Sequence, residues 1–414
     1  MSYGREAAEG VNPSDTDEAE EAHPPLELRD GDAPVITTVE QLRTYSDAVA
    51  SGSGPVGLDA ERASGYKYSA RAYLVQVRRE GAGVALIDPT FVDDLSILNE
   101  AIAGAEWILH AATQDLACLA EVGMRPSSLF DTEVAARLLG REKVSLAGLV
   151  ASELGMNLAK GHGSADWSIR PLTADQLRYA ALDVEPLVEL RDILAADLQA
   201  RRRWDIAQQE FTHLLSFTPK ERGADPWRRL SGMHTLKSPQ QWAIARELWW
   251  ARDEIAQTID VAPGRILPDS AIVAAVKAEP KSARELLEVK GFHGRGAGRY
   301  RNEWWSALER ARALPKEDWP TRAPRGDGPP PPRAWADKDP AAAARLEAAR
   351  QGIADLAERW GIAPELLLSP ELMRRACWEP PDDLAAFLTA GGAREWQIET
   401  CSPILAAAFD TRAT

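Results

Sequence analysis

The chain has 414 residues, too many for one ordinary hydrophobic core, so two or three domains are expected. With 45% hydrophobic and 27% charged residues it reads as a soluble globular protein, and no apolar run approaches the roughly 18 residues of a membrane span. The net charge of −15 argues weakly against nucleic acid as a partner, but the charge is uneven, and 281–316 carries nine Lys and Arg against four Glu.

Residues 1–32 are acidic, rich in Glu, Asp and Pro, and poor in large apolar side chains. They are expected to be a disordered acidic tail. They contain no apolar export core, which favours the cytoplasm. Cys118, Cys377 and Cys401 show no CxxC or metal-ligand spacing and read as reduced thiols.

A first region, 33–215, opens with short strand-like runs: PVGLDAE, RAYLVQVRR and GVALID. Helical patterns alternating with short apolar runs such as WILHA follow, which predicts an α/β domain. Residues 216–226 read as a linker. Residues 227–314 look helical, 315–340 form a Pro-rich stiff linker, and 341–414 look helical again. EIAQTIDVAPGRILPDSAIVAAVKAEP resembles DLAERWGIAPELLLSPELMRRACWEP about 100 residues downstream, which suggests two copies of one helical module. Chance similarity between helix-rich segments is the alternative.

Three acidic sites sit in apolar settings. In VGLDAER, Asp59 and Glu61 are two apart on a strand, so both carboxylates project from one face. In WILHAATQDLACLAEVG, a short strand leads into a helix whose first turn carries Asp115, where the helix dipole favours an anion. In RPLTADQLRYAALDVEPLVEL, Thr173 and Gln176 form a capping box, and Tyr179 and Asp183, four apart, share a helix edge. Pro186 should end or kink that helix just after Asp183. Alone, each acidic site reads more readily as an ordinary exposed or helix-start acid, and the tyrosine as a packed core aromatic. Together they supply four carboxylates and a phenol. That is the donor set of two divalent cations about 4 Å apart, which stabilise both oxygens of an in-line phosphoryl displacement. A tyrosine beside them can orient the attacking water.

LDAER, HAATQDL and YAALD resemble the three motifs of the DEDD exonuclease superfamily, in its tyrosine subgroup, and most closely bacterial ribonuclease D. DWSIRPLT ahead of the third motif adds to the likeness. The resemblance implies a ribonuclease-H-like α/β exonuclease domain over 33–215, with a mixed five-stranded sheet whose first three strands are antiparallel. It implies an HRDC domain over 227–314 and a second, diverged HRDC-like domain over 341–414. It implies a metal site of Asp59, Glu61, Asp115 and Asp183 for two Mg2+ or Mn2+ ions. Asp59 would bridge both ions, Glu61 and Asp183 would complete one position, Asp115 the other, and Tyr179 would place the water. The implied activity is 3′→5′ exoribonuclease cleavage of single-stranded RNA 3′ ends, such as tRNA precursors, by a monomer. A DNA exonuclease or a catalytically silent nucleic-acid adaptor stays open, because carboxylate-held metals act on either phosphodiester.

For nucleic-acid binding, VKGFHGRGAGRYR offers Lys290, His293, Arg295, Arg299 and Arg301 on a Gly-rich backbone. The alternative is an ordinary surface loop. Tyr66, Lys67 and Tyr68 follow the first strand and are candidates for the 3′-end pocket, or for a plain polar turn. Trp249, Trp250, Trp304 and Trp305 are expected to fill a helical core.

Overall fold

The computed structural model describes residues 23–159, 161–322 and 328–411. Most of the expected disordered tail, and residues 323–327 of the Pro-rich segment, lie outside them.

Strand β1 (Val35–Ile36) is followed by α1 (Val39–Ser51), which the Thr38–Gln41 capping box starts. Strands β2 (Ser53–Arg62), β3 (Ala72–Glu80) and β4 (Gly83–Ile87) form the antiparallel run read from the sequence. Helix α2 (Ser96–Ala101), β5 (Trp107–Leu109), α3 (Leu116–Glu121) and β6 (Leu129–Asp131) follow. The sheet has six strands in the order β1-β4-β3-β2-β5-β6, with β1, β5 and β6 joined in parallel. The expected five strands are present. The sixth, β1, is a two-residue edge strand, too short to leave an alternating pattern in the sequence.

Strand β2 separates two environments. Val56, Leu58 and Ala60 point into an apolar cluster shared with Leu42, Val49, Trp107 and Leu119. The alternate positions, Gly57, Asp59 and Glu61, face the other side. There lie α4 (Thr132–Leu138), α5 (Leu146–Leu154), α6 (Ala174–Val184), α7 (Leu187–Ala200) and α8 (Trp204–Leu215). A β-carbon on Gly57 would lie 3.3 Å from the Val184 carbonyl oxygen, so glycine lets the end of α6 approach the strand closely.

Part of the expected tail is ordered. Residues 23–32 strap the exonuclease unit: Leu26 is buried, its N–H donates to the Asn157 carbonyl at 2.8 Å, and Arg29 pairs with the buried Glu185 at 2.8 Å. The acidic composition of the whole stretch hides these few anchoring residues.

The helical region after it contains α9 (Pro239–Ile259), α10 (Pro263–Ile266), α11 (Asp269–Ala278), α12 (Ala283–Glu288), α13 (Arg295–Arg299) and α14 (Arg301–Ala313). It closes around its own core of Leu248, Ile272, Phe292 and Trp304. The last region contains α15 (Trp335–Lys338), α16 (Pro340–Trp360), α17 (Pro364–Leu367), α18 (Pro370–Trp378), α19 (Leu384–Ala390) and α20 (Glu395–Phe409). Helices α9 and α16 each have 21 residues, α10 and α17 each have 4, and α11 and α18 have 10 and 9. The similarity between the two segments is therefore a similarity of structure, including the one-residue gap before the second Glu-Pro.

One expectation changes here. The end of the Pro-rich segment is not a free linker: Trp335 is buried, its indole N–H donates to the Pro330 carbonyl at 2.6 Å, and α15 opens the last unit. That unit also packs closely on the first, sharing one apolar cluster in which Phe211 and Leu198 join Trp396, Leu356 and Ile362. Glu210 takes the Trp396 indole N–H at 2.6 Å and the Arg394 guanidinium at 2.7 Å, and Arg203 donates to the Trp360 carbonyl. A β-carbon on Gly140 would lie 1.8 Å from the Gly361 carbonyl oxygen, so the two backbones touch. Trp396→Ala should therefore destabilise the exonuclease unit as well as its own, by about 3–5 kcal/mol. A thermal melt with a catalytic-domain probe checks this; an unchanged exonuclease melting point would contradict the shared core.

Candidate active site

Asp59 and Glu61 leave β2 on the face that α6 covers. Thr173 and Gln176 start α6 with the capping box read from the sequence, the hydroxyl accepting the Gln176 N–H at 3.2 Å. The helix stops at Val184 because Pro186 cannot continue its hydrogen-bond ladder, and α7 begins at Leu187. Tyr179 and Asp183 therefore lie one turn apart on the last turns of α6. Around Tyr179 the segment before α6 closes in, with the His162 ring edge-on at 5.7 Å and the Trp167 ring at 6.3 Å.

Carboxylate oxygens of Asp59, Glu61 and Asp183 all come within 4.8 Å of one another. Asp115, which precedes α3 after a short 3-10 turn, is 4% exposed and stands outside this trio, though it lines the same cleft. That cleft has a volume of about 240 Å3 and is also lined by Arg62, His110, Gln114 and Tyr179. Arg62 and His110 were not singled out in the sequence, although they end LDAER and begin HAATQDL. Arg62 Nη2 lies 3.7 Å from Asp115 Oδ1.

These acids are electrostatically frustrated. Burial pushes Asp59 up to about 6, against the pull of Arg62. Burial, and then repulsion from Asp59, Asp183 and Asp115, pushes Glu61 up to about 9. Asp115 and Asp183 rise well above the usual carboxylate range for the same two reasons. Burial and the neighbouring Asp183, Glu61 and Asp59 charges also raise Tyr179, which stays a neutral phenol. His110 is pushed down to about 4 by burial and is neutral at ordinary pH. Oxygen-only donors, crowded and like-charged, fit hard divalent cations.

The expected nucleic-acid contacts divide. Lys67 and Tyr68 are engaged at the junction with the helical region: Tyr68 donates its hydroxyl to Asp253 at 2.9 Å, and Lys67 lies 3.8 Å from Asp260. Tyr66 stacks under Arg265 at 4.0 Å, and its carbonyl accepts the Ala262 N–H at 2.9 Å. The three residues thus brace one domain on the other and do not line the cleft. Lys290, His293, Arg299 and Arg301 are exposed on the helical region, and Arg295 opens α13. Trp304 fills the core as expected, whereas Trp250 is 43% exposed.

The pKa shifts give a sign for stability. Asp59 and Glu61 keep protons in the fold that the unfolded chain has already lost. The metal-free protein should therefore lose stability as pH rises from the ordinary carboxylate range, about 4, through about 6 for Asp59 and about 9 for Glu61. A divalent cation binding the ionised carboxylates offsets that loss. Calorimetric scans should show a larger gain in Tm from Mg2+ or Mn2+ at pH 8.5 than at pH 5.5; a pH-independent gain would contradict the cluster.

Residues 34–199 match the profile of a 3′-5′ exonuclease, 241–308 that of an HRDC domain, and 328–409 that of a 3′ to 5′ exonuclease C-terminal domain. The last region, read above as HRDC-like, thus matches a profile of another description. A ribonuclease D of Zymomonas mobilis is 31% identical over 304 residues, covering 70% of this chain and 76% of that one. One of Gluconacetobacter diazotrophicus is 29% identical over 361 residues, covering 85% and 88%. Among solved structures, a protein from Bifidobacterium adolescentis superimposes with a TM-score of 0.88 at 35% identity, covering 94% of this chain and all of that one. Escherichia coli RNase D superimposes with a TM-score of 0.66 at 24% identity, covering 91% of this chain and 98% of that one, and so shares the fold. The three motifs, the mixed sheet, the cleft they line and these relatives agree: the chain belongs to the ribonuclease D family of 3′→5′ exonucleases.

Proposed function

We propose that the chain is a cytoplasmic 3′→5′ exoribonuclease that releases nucleoside 5′-monophosphates from single-stranded RNA and trims the 3′ ends of tRNA or other stable RNA precursors. The observation that carries this reading is the approach of Asp59, Glu61 and Asp183 to within 4.8 Å beside Tyr179. Two divalent ions, Mg2+ or Mn2+, would supply stabilisation of the entering and leaving oxygens. Asp59 would be shared by both, Glu61 and Asp183 would complete one position, and Asp115 the other.

The protein's own groups do the rest. The neutral Tyr179 phenol hydrogen-bonds the attacking water and orients it toward the terminal phosphorus. Water adds to phosphorus as it gives up a proton to solvent, the bond to the upstream 3′ oxygen breaks, and that oxygen takes a proton from solvent to become the new 3′-hydroxyl. The exposed Lys290, His293, Arg299 and Arg301 would hold upstream phosphates. The choice of RNA over DNA follows the curated ribonuclease D relatives.

A gel time course on 5′-labelled RNA should show shortening one nucleotide at a time from the 3′ end, stopped by chelator and at least about a hundredfold slower with Asp59→Asn. Faster cleavage of a matched DNA strand would overturn the RNA assignment. Tyr179→Phe should lower kcat by about a hundredfold while the RNA Kd stays within about twofold; loss of binding in proportion would make the tyrosine a packing residue.

A further inference from the structure

Asp131 ends β6 and is 1% exposed. It does not line the cleft. Its carboxylate nevertheless joins the cleft's two supporting segments. On one side it caps α4, Oδ1 accepting the N–H groups of Glu133 at 2.9 Å and Val134 at 3.1 Å. On the other it grips the turn that carries Asp115: Oδ1 accepts the Ala111 N–H at 3.2 Å and Oδ2 the Ala112 N–H at 2.7 Å. The next residue, Thr132, holds the residue before that turn, its hydroxyl lying 2.9 Å from His110 Nδ1.

The gripped turn is not one the chain would choose. Ala111 has φ 57° and ψ 52°, the left-handed region that alanine disfavours. From it the backbone runs through one 3-10 turn, Ala112–Gln114, directly into Asp115. Four backbone donors converge on the two oxygens of one buried carboxylate. A neutral amide of the same shape would turn an N–H against at least one of them. The hold is therefore specific to a carboxylate, and the element it fixes is the one that sets where Asp115 enters the cleft.

We propose that Asp131 is a positioning residue for Asp115, with Thr132 as its second point of hold, and that it completes the part of the divalent-ion site lying outside the Asp59, Glu61 and Asp183 trio. The proposal rests on the hydrolytic reading above. It assigns Asp131 no contact with substrate.

The test uses the full-length chain with Asp131→Asn, Asp115→Asn and the double variant. Each is assayed for kcat and KM on a short RNA and titrated calorimetrically with Mn2+ alone. Asp131→Asn should lower kcat ten- to hundredfold with KM within twofold, and weaken the same Mn2+ binding event that Asp115→Asn weakens. The double variant should be no worse than Asp115→Asn, because both act through one group. Ala111→Gly should restore part of kcat in the Asp131→Asn background by making the left-handed turn easy. Losses that multiply in the double variant, or wild-type Mn2+ binding by Asp131→Asn, would overturn the proposal. Should Asp131→Asn fail to fold, Ala111→Val, which opposes the same backbone with the carboxylate intact, must show the kcat loss and weakened Mn2+ binding; wild-type values there would overturn it equally. Full activity of Asp59→Asn and Asp115→Asn would instead remove the hydrolytic reading itself.

Discussion

Everything in the catalytic half depends on one unfavourable interaction: carboxylates forced together under a helix, away from water. Asp59, Glu61 and Asp183 could relieve their repulsion by moving apart, but β2 and α6 do not let them. Gly57 admits the end of α6 against the strand, and the apolar cluster beneath Val56 and Leu58 fixes the strand in turn. The fold thus stores a demand for positive charge at one spot. Arg62 meets part of it, from the side of Asp115. Divalent cations would meet the rest, and neutralising the cluster would also rigidify it.

The surrounding architecture keeps that spot both rigid and approachable. The segment 161–167 closes over Tyr179 from one side. The loop after β2 is tied to the helical region through Tyr68, Asp253 and Asp260, so the second domain braces the residues just beyond Glu61. The HRDC region is consequently a brace as well as a separate helical unit. It is mechanically continuous with the strand that carries the first two carboxylates.

Much of this was legible in the sequence because the relevant signals are local. Two acids two apart on a strand, a capping box, an i,i+4 pair and a helix-ending proline each declare their geometry within a few residues. The helical repeat was legible through its Ala-Pro and Glu-Pro punctuation. What stayed hidden depends on distant partners. Tyr68 reads as a polar turn until Asp253, 185 residues away, is placed beside it. Asp131 carries no local signal of its hold, because two of the N–H groups it accepts belong to a turn about twenty residues earlier. Leu26 and Arg29 were submerged in an acidic composition, and Trp335 in a proline-rich one. Composition averages over a segment, whereas a single buried side chain decides whether that segment packs.

The apolar cluster common to the first and last units has a bearing on biosynthesis. The HRDC region encloses a core of its own and can condense as soon as its helices have emerged. The face of α8 around Phe211 is different, since Trp396 and the helices that cover it lie far later in the chain. A nascent chain would expose that greasy face until those later helices have emerged, well after the HRDC core between them has closed.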